Sequence, residues 1–166
     1  MKRREQKMAT PIVRANGEGE RYWFYGGGVH DWKVTDEQTD GALFVLEDSL
    51  VQGKMTPYHV HPGATECVYV LEGEILVNID GQEHVVGAGG FTMTPPGVPH
   101  AFTVTSPTAR VLAMQTPGAG AGFYLGASEP STPELEAAAP VDFARVVASG
   151  AKNGGFEMLG PPPFPH

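Results

Sequence analysis

The sequence predicts an all-β protein, a jelly-roll β-barrel with a short C-terminal helical appendage. Three observations lead there. Eight or nine short apolar runs follow one another closely between Arg21 and Thr116. Turn-forming residues separate them, and the chain carries 22 glycines and 15 prolines. Helix signals gather only after Thr116. Closely spaced strands with turns between them close into sandwiches or barrels of antiparallel strands.

Residues 1–15 are polar and read as a flexible N-terminal tail, since chain ends are poorly ordered unless tied down. Four of the eleven basic residues sit there (Lys2, Arg3, Arg4, Lys7), and Met8 is an alternative start to Met1. Residues 16–116 form the barrel. "RYWFYGGGVHDWKVT" is a strand broken at Gly26–Gly28 and resumed. "GALFVLEDSLV" alternates in burial, as a strand with one buried face does. "ECVYVLEG" and "EILVNID" follow, and Asp80-Gly81 before the next run is a strong hairpin signal. "GGFTMTPPGVPHAFTVT" gives a strand, a proline-rich loop and a strand, and "ARVLAMQT" closes the series. Residues 117–166 are a loop and helices packed on the barrel. "PGAGAG" reads as loop. "STPELEAAA" has a Ser/Thr cap, an early proline and glutamate in its first turn, and Pro140 stops it. In "VDFARVVASG", Phe143, Val146 and Val147 share a helical face, and Gly150 is the expected stop.

The net charge of −8, with the basic residues concentrated in the tail, leaves the body no cationic cluster to meet phosphates, so nucleic-acid binding is excluded. No apolar stretch is long enough for a membrane helix, and the basic N-terminus lacks the apolar core of a signal peptide. Cys67 is alone, so no internal disulfide forms. The expected location is the cytoplasm.

The chemistry lies in "TPYHVHPGATECVYVLEG", residues 56–73. His59 and His61 are two apart on a strand and point to one face. Glu66 shares a face with Val68 and Val70 on the next strand. "PPGVPHAF" delivers His100 after a proline–glycine loop. Three neutral imidazoles and one carboxylate suit a divalent transition metal. One carboxylate leaves the site net positive and favours an anionic ligand. Blander roles fall to the remaining candidates: His84 faces solvent, His30 is structural, His166 is terminal, and Cys67 is a small buried residue on the face opposite Glu66.

The spacing Gly53, five residues, His59, one, His61, four, Glu66, six, Gly73 resembles the first cupin motif at every fixed position. Gly89, five residues, Pro95, one, Gly97, two, His100 resembles the second. Val104 and Thr105 stand where an asparagine often follows. "GEGERYWFYGGG" and "FEMLGPPPFP" look like the flanks of single-domain bacterial quercetin 2,3-dioxygenase-like cupins. This resemblance implies one metal per chain (Mn, Fe, Co, Ni or Cu) held by His59, His61, Glu66 and His100. It implies that Glu66 also takes the proton of a flavonol 3-hydroxyl before O2 cleaves the ring and carbon monoxide leaves. The expected partners are an apolar aromatic substrate and O2. By strand phase, Met55, Val68, Val70, Phe102 and Val104 line the substrate pocket. With Lys54 the only cation between Val34 and Arg110, phosphorylated substrates fit poorly. The alternatives are another metal-cupin enzyme (isomerase, cyclase or decarboxylase) or a non-catalytic binding cupin. The family also implies a homodimer, with Tyr22–Tyr25 at the contact or in the core.

Overall fold

The computed structural model describes residues 10–165. Most of the expected tail, residues 1–9, lies outside them, as does His166; residues 10–15 carry no helix or strand. The barrel strands are β1 (Glu20–Phe24), β2 (Val29–Val34), β3 (Phe44–Val51), β4 (Tyr58–Val60), β5 (Thr65–Glu72), β6 (Glu74–Ile79), β7 (Gln82–Gly87), β8 (Phe91–Thr94), β9 (His100–Val104) and β10 (Thr108–Thr116). After them come α1 (Ala121–Gly126), β11 (Ser128–Pro130), α2 (Pro133–Ala138), α3 (Phe143–Asn153) and β12 (Glu157–Gly160). Two antiparallel sheets result. One runs β11-β1-β2-β3-β10-β5-β8, and the other β12-β4-β9-β6-β7.

Alternation sets which face is inside. On β3, Phe44, Leu46, Asp48 and Leu50 are buried while the intervening residues are half-exposed. Leu50 joins Val68, Val70, Ile75, Val77, Val104 and Val111 between the sheets, while Phe44 and Leu46 pack on Trp32 and Ala121. Turns are made by residues that tolerate positive φ. Asp80 and Gly81 at 51° and 80° give the hairpin between β6 and β7, the twist-compatible turn that this dipeptide favours. Gly73 at 77° joins β5 to β6 so tightly that a Cβ would lie 2.2 Å from the Thr108 carbonyl oxygen.

The appendage differs from its sequence reading in three ways. "PGAGAG" opens a turn of 3₁₀ helix and then α1 instead of a loop. Two strands were not anticipated: β11 pairs with β1, and β12 with β4. At three and four residues they are too short to show a two-residue period. Helix α3 runs through Gly150 to Asn153, and Gly154 at φ 68° follows it. Gly150 is there for space, since a Cβ would meet the Phe156 ring at 3.0 Å. The buried face of α3 is Val146, Ser149 and Gly150, with Phe143 and Val147 exposed. Capping of α2 follows the expectation: Thr132 accepts from the Leu135 amide with Pro133 behind it. A second apolar cluster of Phe24, Phe123, Ala127, Val146 and Phe156 fastens the appendage to the barrel. Trp23 and Phe24 are buried within the chain. No helix among the described residues is long and apolar enough to cross a membrane.

Candidate metal centre

Three histidines come from one sheet. His59 lies on β4, His61 one residue beyond it, and His100 opens β9 directly opposite His59. Their ligating atoms all lie within 4.8 Å of one another, and all three residues are buried. Glu66 enters from β5 in the facing sheet. Its Oε2 is 3.0 Å from His61 Nε2 and its Oε1 is 3.3 Å from His100 Nε2.

The ring tautomers follow from the neighbours. Nδ1 of His59 donates to the Pro57 carbonyl at 2.8 Å, that of His61 to Gly155 at 2.6 Å, and that of His100 to Val98 at 2.9 Å. A carbonyl only accepts, so Nδ1 carries the proton and Nε2 of a neutral ring presents its lone pair. Nε2 of His61 and of His100 is buried without a hydrogen-bond partner, despite the nearby carboxylate. Lone pairs facing a carboxylate at that range repel unless a cation lies between them. A proton or a metal ion meets that need, and three converging imidazole nitrogens can hold a metal. Burial, then the charges of His100 and His61, push the His59 pKa down to about 3, so this ring stays neutral.

Glu66 is more constrained than the sequence suggested. Gln115 Nε2 donates to its Oε2 at 3.0 Å and the Tyr124 hydroxyl at 3.3 Å. Burial acts to raise its pKa. The positive charge of His61 and His100, in their protonated forms, outweighs burial and holds the carboxyl well below the usual range. Burial alone would lower the proton affinity of His100, but the Glu66 carboxylate reverses this and raises it. Neither Gln115 nor Tyr124 was anticipated. Gln115 shares a phase with Ala109, Val111 and Ala113, so a polar residue on an inward face was the available signal. Tyr124 had none, because its placement depends on how α1 docks.

The cavity beside this cluster has a volume of about 60 Å³. Glu66 and His59 line one part of it, and Val68 and Phe102 supply apolar wall. Val70 and Val104 instead fill the barrel core, and Met55 bridges to Thr103; none of the three lines the cavity. The wall is also less apolar than strand phase implied. His30, Asp48 and Lys54 line it. His30 is buried against Asp48, its Nε2 3.2 Å from Oδ1. Burial, then the Lys54 charge, push His30 down to about 3, and burial raises Asp48 well above the usual carboxyl range. His84 is exposed, and Cys67 is half-buried rather than buried, on the outer face of β5.

Two facing sheets with three histidines and a glutamate at their mouth describe a known architecture. Residues 46–114 match the cupin domain family. The barrel has the jelly-roll fold of cupins. Two proteins of known structure superpose on it: an RmlC-like cupin from Shewanella frigidimarina (TM-score 0.56, 23% identity, 66% of this chain and 95% of that one), and a protein described as a predicted oxalate decarboxylase from Thermotoga maritima (TM-score 0.56, 24% identity, 64% and 98%). These likenesses bear on the cupin fold alone. In sequence, the chain is 29% identical over 122 residues to quercetin 2,3-dioxygenase of Bacillus subtilis (strain 168). That match takes in 74% of this chain and 36% of the relative, so the chain spans about a third of that protein's length.

Proposed function

We propose that this cupin is a metal-dependent dioxygenase that opens flavonols such as quercetin, or a related enolisable aromatic, with O2 and releases carbon monoxide. The observation that supports it best is a carboxylate set against three buried imidazoles whose Nε2 lone pairs converge. His59, His61, His100 and Glu66 would hold the metal, one of Mn, Fe, Co, Ni or Cu. When bound, the metal supplies positive charge that stabilises a substrate oxyanion and the redox capacity for reaction with O2. The chain's own residues do the rest. Glu66 receives the proton from the substrate hydroxyl. Gln115 and Tyr124 hold its Oε2 and fix which oxygen is free to move. Phe156, tilted against His59 at 4.9 Å, keeps water from the back of the ring. A carboxylate that is both ligand and base is chemically demanding. Glu66→Gln should therefore retain metal and lose turnover; a metal-loaded variant with full activity would end this role.

One observation favours a second reading, a metal-cupin isomerase, cyclase or decarboxylase acting on a smaller acid. Sites for flavonol-sized molecules run to about 300–1,000 Å³, well above this cavity. A groove of about 570 Å³ lies on the other side of Lys54, whose side chain lines both spaces. The flavonol reading requires Lys54 to swing and join them. A non-catalytic binding cupin would show ligand binding without turnover.

The test is aerobic turnover of quercetin by protein reconstituted separately with each metal, following flavonol absorbance and O2 uptake together. Matched, O2-dependent loss with one metal is the expected result. No loss from protein with verified metal overturns the flavonol reading, and turnover of another substrate without O2 uptake selects the second. The homodimer belongs to the same proposal; light scattering that gives one chain's mass would overturn it.

A further inference from the structure

We propose that Asp48 and His30 form a second binding pole in the cavity, where they take the remote hydroxyl or carbonyl group of a phenolic or enolic ligand whose ionisable oxygen faces the histidines. The proposal rests on the metal-cupin reading of the site. Asp48 on β3 and His30 on β2 stand opposite each other in register, both pointing inward. They are 9% and 3% exposed. Among the described residues, no donor makes a hydrogen bond to Asp48. The 3.2 Å approach of His30 Nε2 to its Oδ1 is off line, so that Oδ1 is buried and unpartnered, and so is His30 Nδ1. Lys54 makes no hydrogen bond to either; its ammonium donates to the carbonyls of Gly26 and Met55. Phe24, stacked on the His30 ring at 4.7 Å, holds the imidazole in place.

Leaving such groups unpaired in a core is expensive, and native proteins rarely do so without a ligand, a water or a function. The fold has no visible need of them. The other inward residues of β3 are Phe44, Leu46 and Leu50, and an apolar side chain at position 48 would continue that core. The cavity explains them better, since both residues line it together with His59 and Glu66. On β10, Asp48 is opposite Val111 and Glu66 is opposite Gln115, so the poles are rooted roughly 13 Å apart along the strand. Between them sits Ala113, opposite Leu46 on one side and Val68 on the other. A small residue flanked by apolar ones makes an apolar middle, which a flat ring would enter once Lys54 swings to join the cavity to the groove. The cavity thus has two polar ends and an apolar middle. No arginine lines it, which disfavours a second anionic group and favours a neutral hydroxyl or carbonyl.

The experiment compares 3-hydroxyflavone, which has no remote hydroxyl, with quercetin, which has several. Binding to anaerobic metal-loaded protein is followed by absorbance, and thermal melting is recorded alongside, for the wild type, Asp48→Leu and the smaller Asp48→Val. Wild type should prefer quercetin about tenfold, as one hydrogen bond to a buried polar group allows. Both variants should lose that preference while keeping metal content and 3-hydroxyflavone affinity. They should also melt higher, because a group kept for a ligand costs stability. A preference that survives in both variants overturns the proposal. Melting below wild type in both assigns the pair a structural role and overturns it too. If wild type binds neither flavonol, the flavonol reading fails and the melting result alone decides the second pole.

Discussion

Each of the three histidines proposed to hold the metal has its Nδ1 tied down, and three different segments do it. His59 and His100 each bond a carbonyl two residues back, at Pro57 and Val98. Pro57 supplies the first carbonyl and Pro99 directly follows the second, and proline restricts the backbone at both places. His61 instead reaches Gly155, ninety-four residues away. Losing any one ring should abolish stoichiometric metal, measurable by elemental analysis of His59→Ala, His61→Ala and His100→Ala. Tyr124→Phe removes one donor from Glu66 and should cost about 1 kcal/mol of stability while metal content holds; loss of metal would show that the hydroxyl does more than orient. Lys54 carries a signed pH effect. Its pKa is lowered from 10.5 to about 8, by burial first and against the favourable charge of Asp48. Below 8 both the folded and unfolded forms are protonated and the buried charge is a burden. As pH rises from about 8 to 10.5 the folded form sheds its proton first, so stability rises. Melting across that window should show the rise in wild type and not in Lys54→Met.

At the scale of elements, the segment 154–160 acts as a strap. Strand β12 pairs with β4, the strand that carries His59. Phe156 lies against His59 on one side and stacks on Phe123 at 4.4 Å with parallel planes on the other. Phe156→Ala should therefore destabilise the fold by about 3–5 kcal/mol and weaken metal affinity roughly 10–100-fold, the usual effect of disturbing what positions a ligand; calorimetric metal titration checks the second figure. Gly73→Ala meets a carbonyl and a positive φ together, and should cost on the order of 1–3 kcal/mol in denaturant unfolding. These elements also show what the sequence disclosed. The barrel strands declared themselves because one buried face imposes a two-residue period and glycine pairs mark their ends. The shared face of His59 and His61 was legible because strand phase is local, while the approach of Glu66 and His100 to them came from motif spacing. The strap was not, since a three- or four-residue strand owes its pairing to its partner. Gly150 shows the same limit: in sequence it looks like a helix end, and only the ring packed on it shows a contact. Asp48 was hidden differently, as one polar residue in an inward phase that otherwise read as core.

For the whole molecule, the two sheets divide the work. The five-stranded sheet presents His59, His61 and His100, and the seven-stranded sheet carries Glu66, Gln115, Asp48 and His30. Closing the barrel therefore assembles the site, and metal binding should report on sheet-to-sheet packing: apo protein should melt lower than metal-loaded protein, with the gap growing as metal exceeds its dissociation constant. Melting points that coincide at saturating metal would show that no ion binds at the sheet junction. The bond from His61 to Gly155 adds a direction in time. A ribosome makes position 61 long before position 155, and chains begin to fold as they emerge. A nascent barrel can close its strands through β10, yet the imidazole of His61 stays unanchored until the strap follows. Capture of the proposed metal would therefore follow barrel closure, and a chain interrupted before Gly155 would lack the carbonyl that orients the His61 ring.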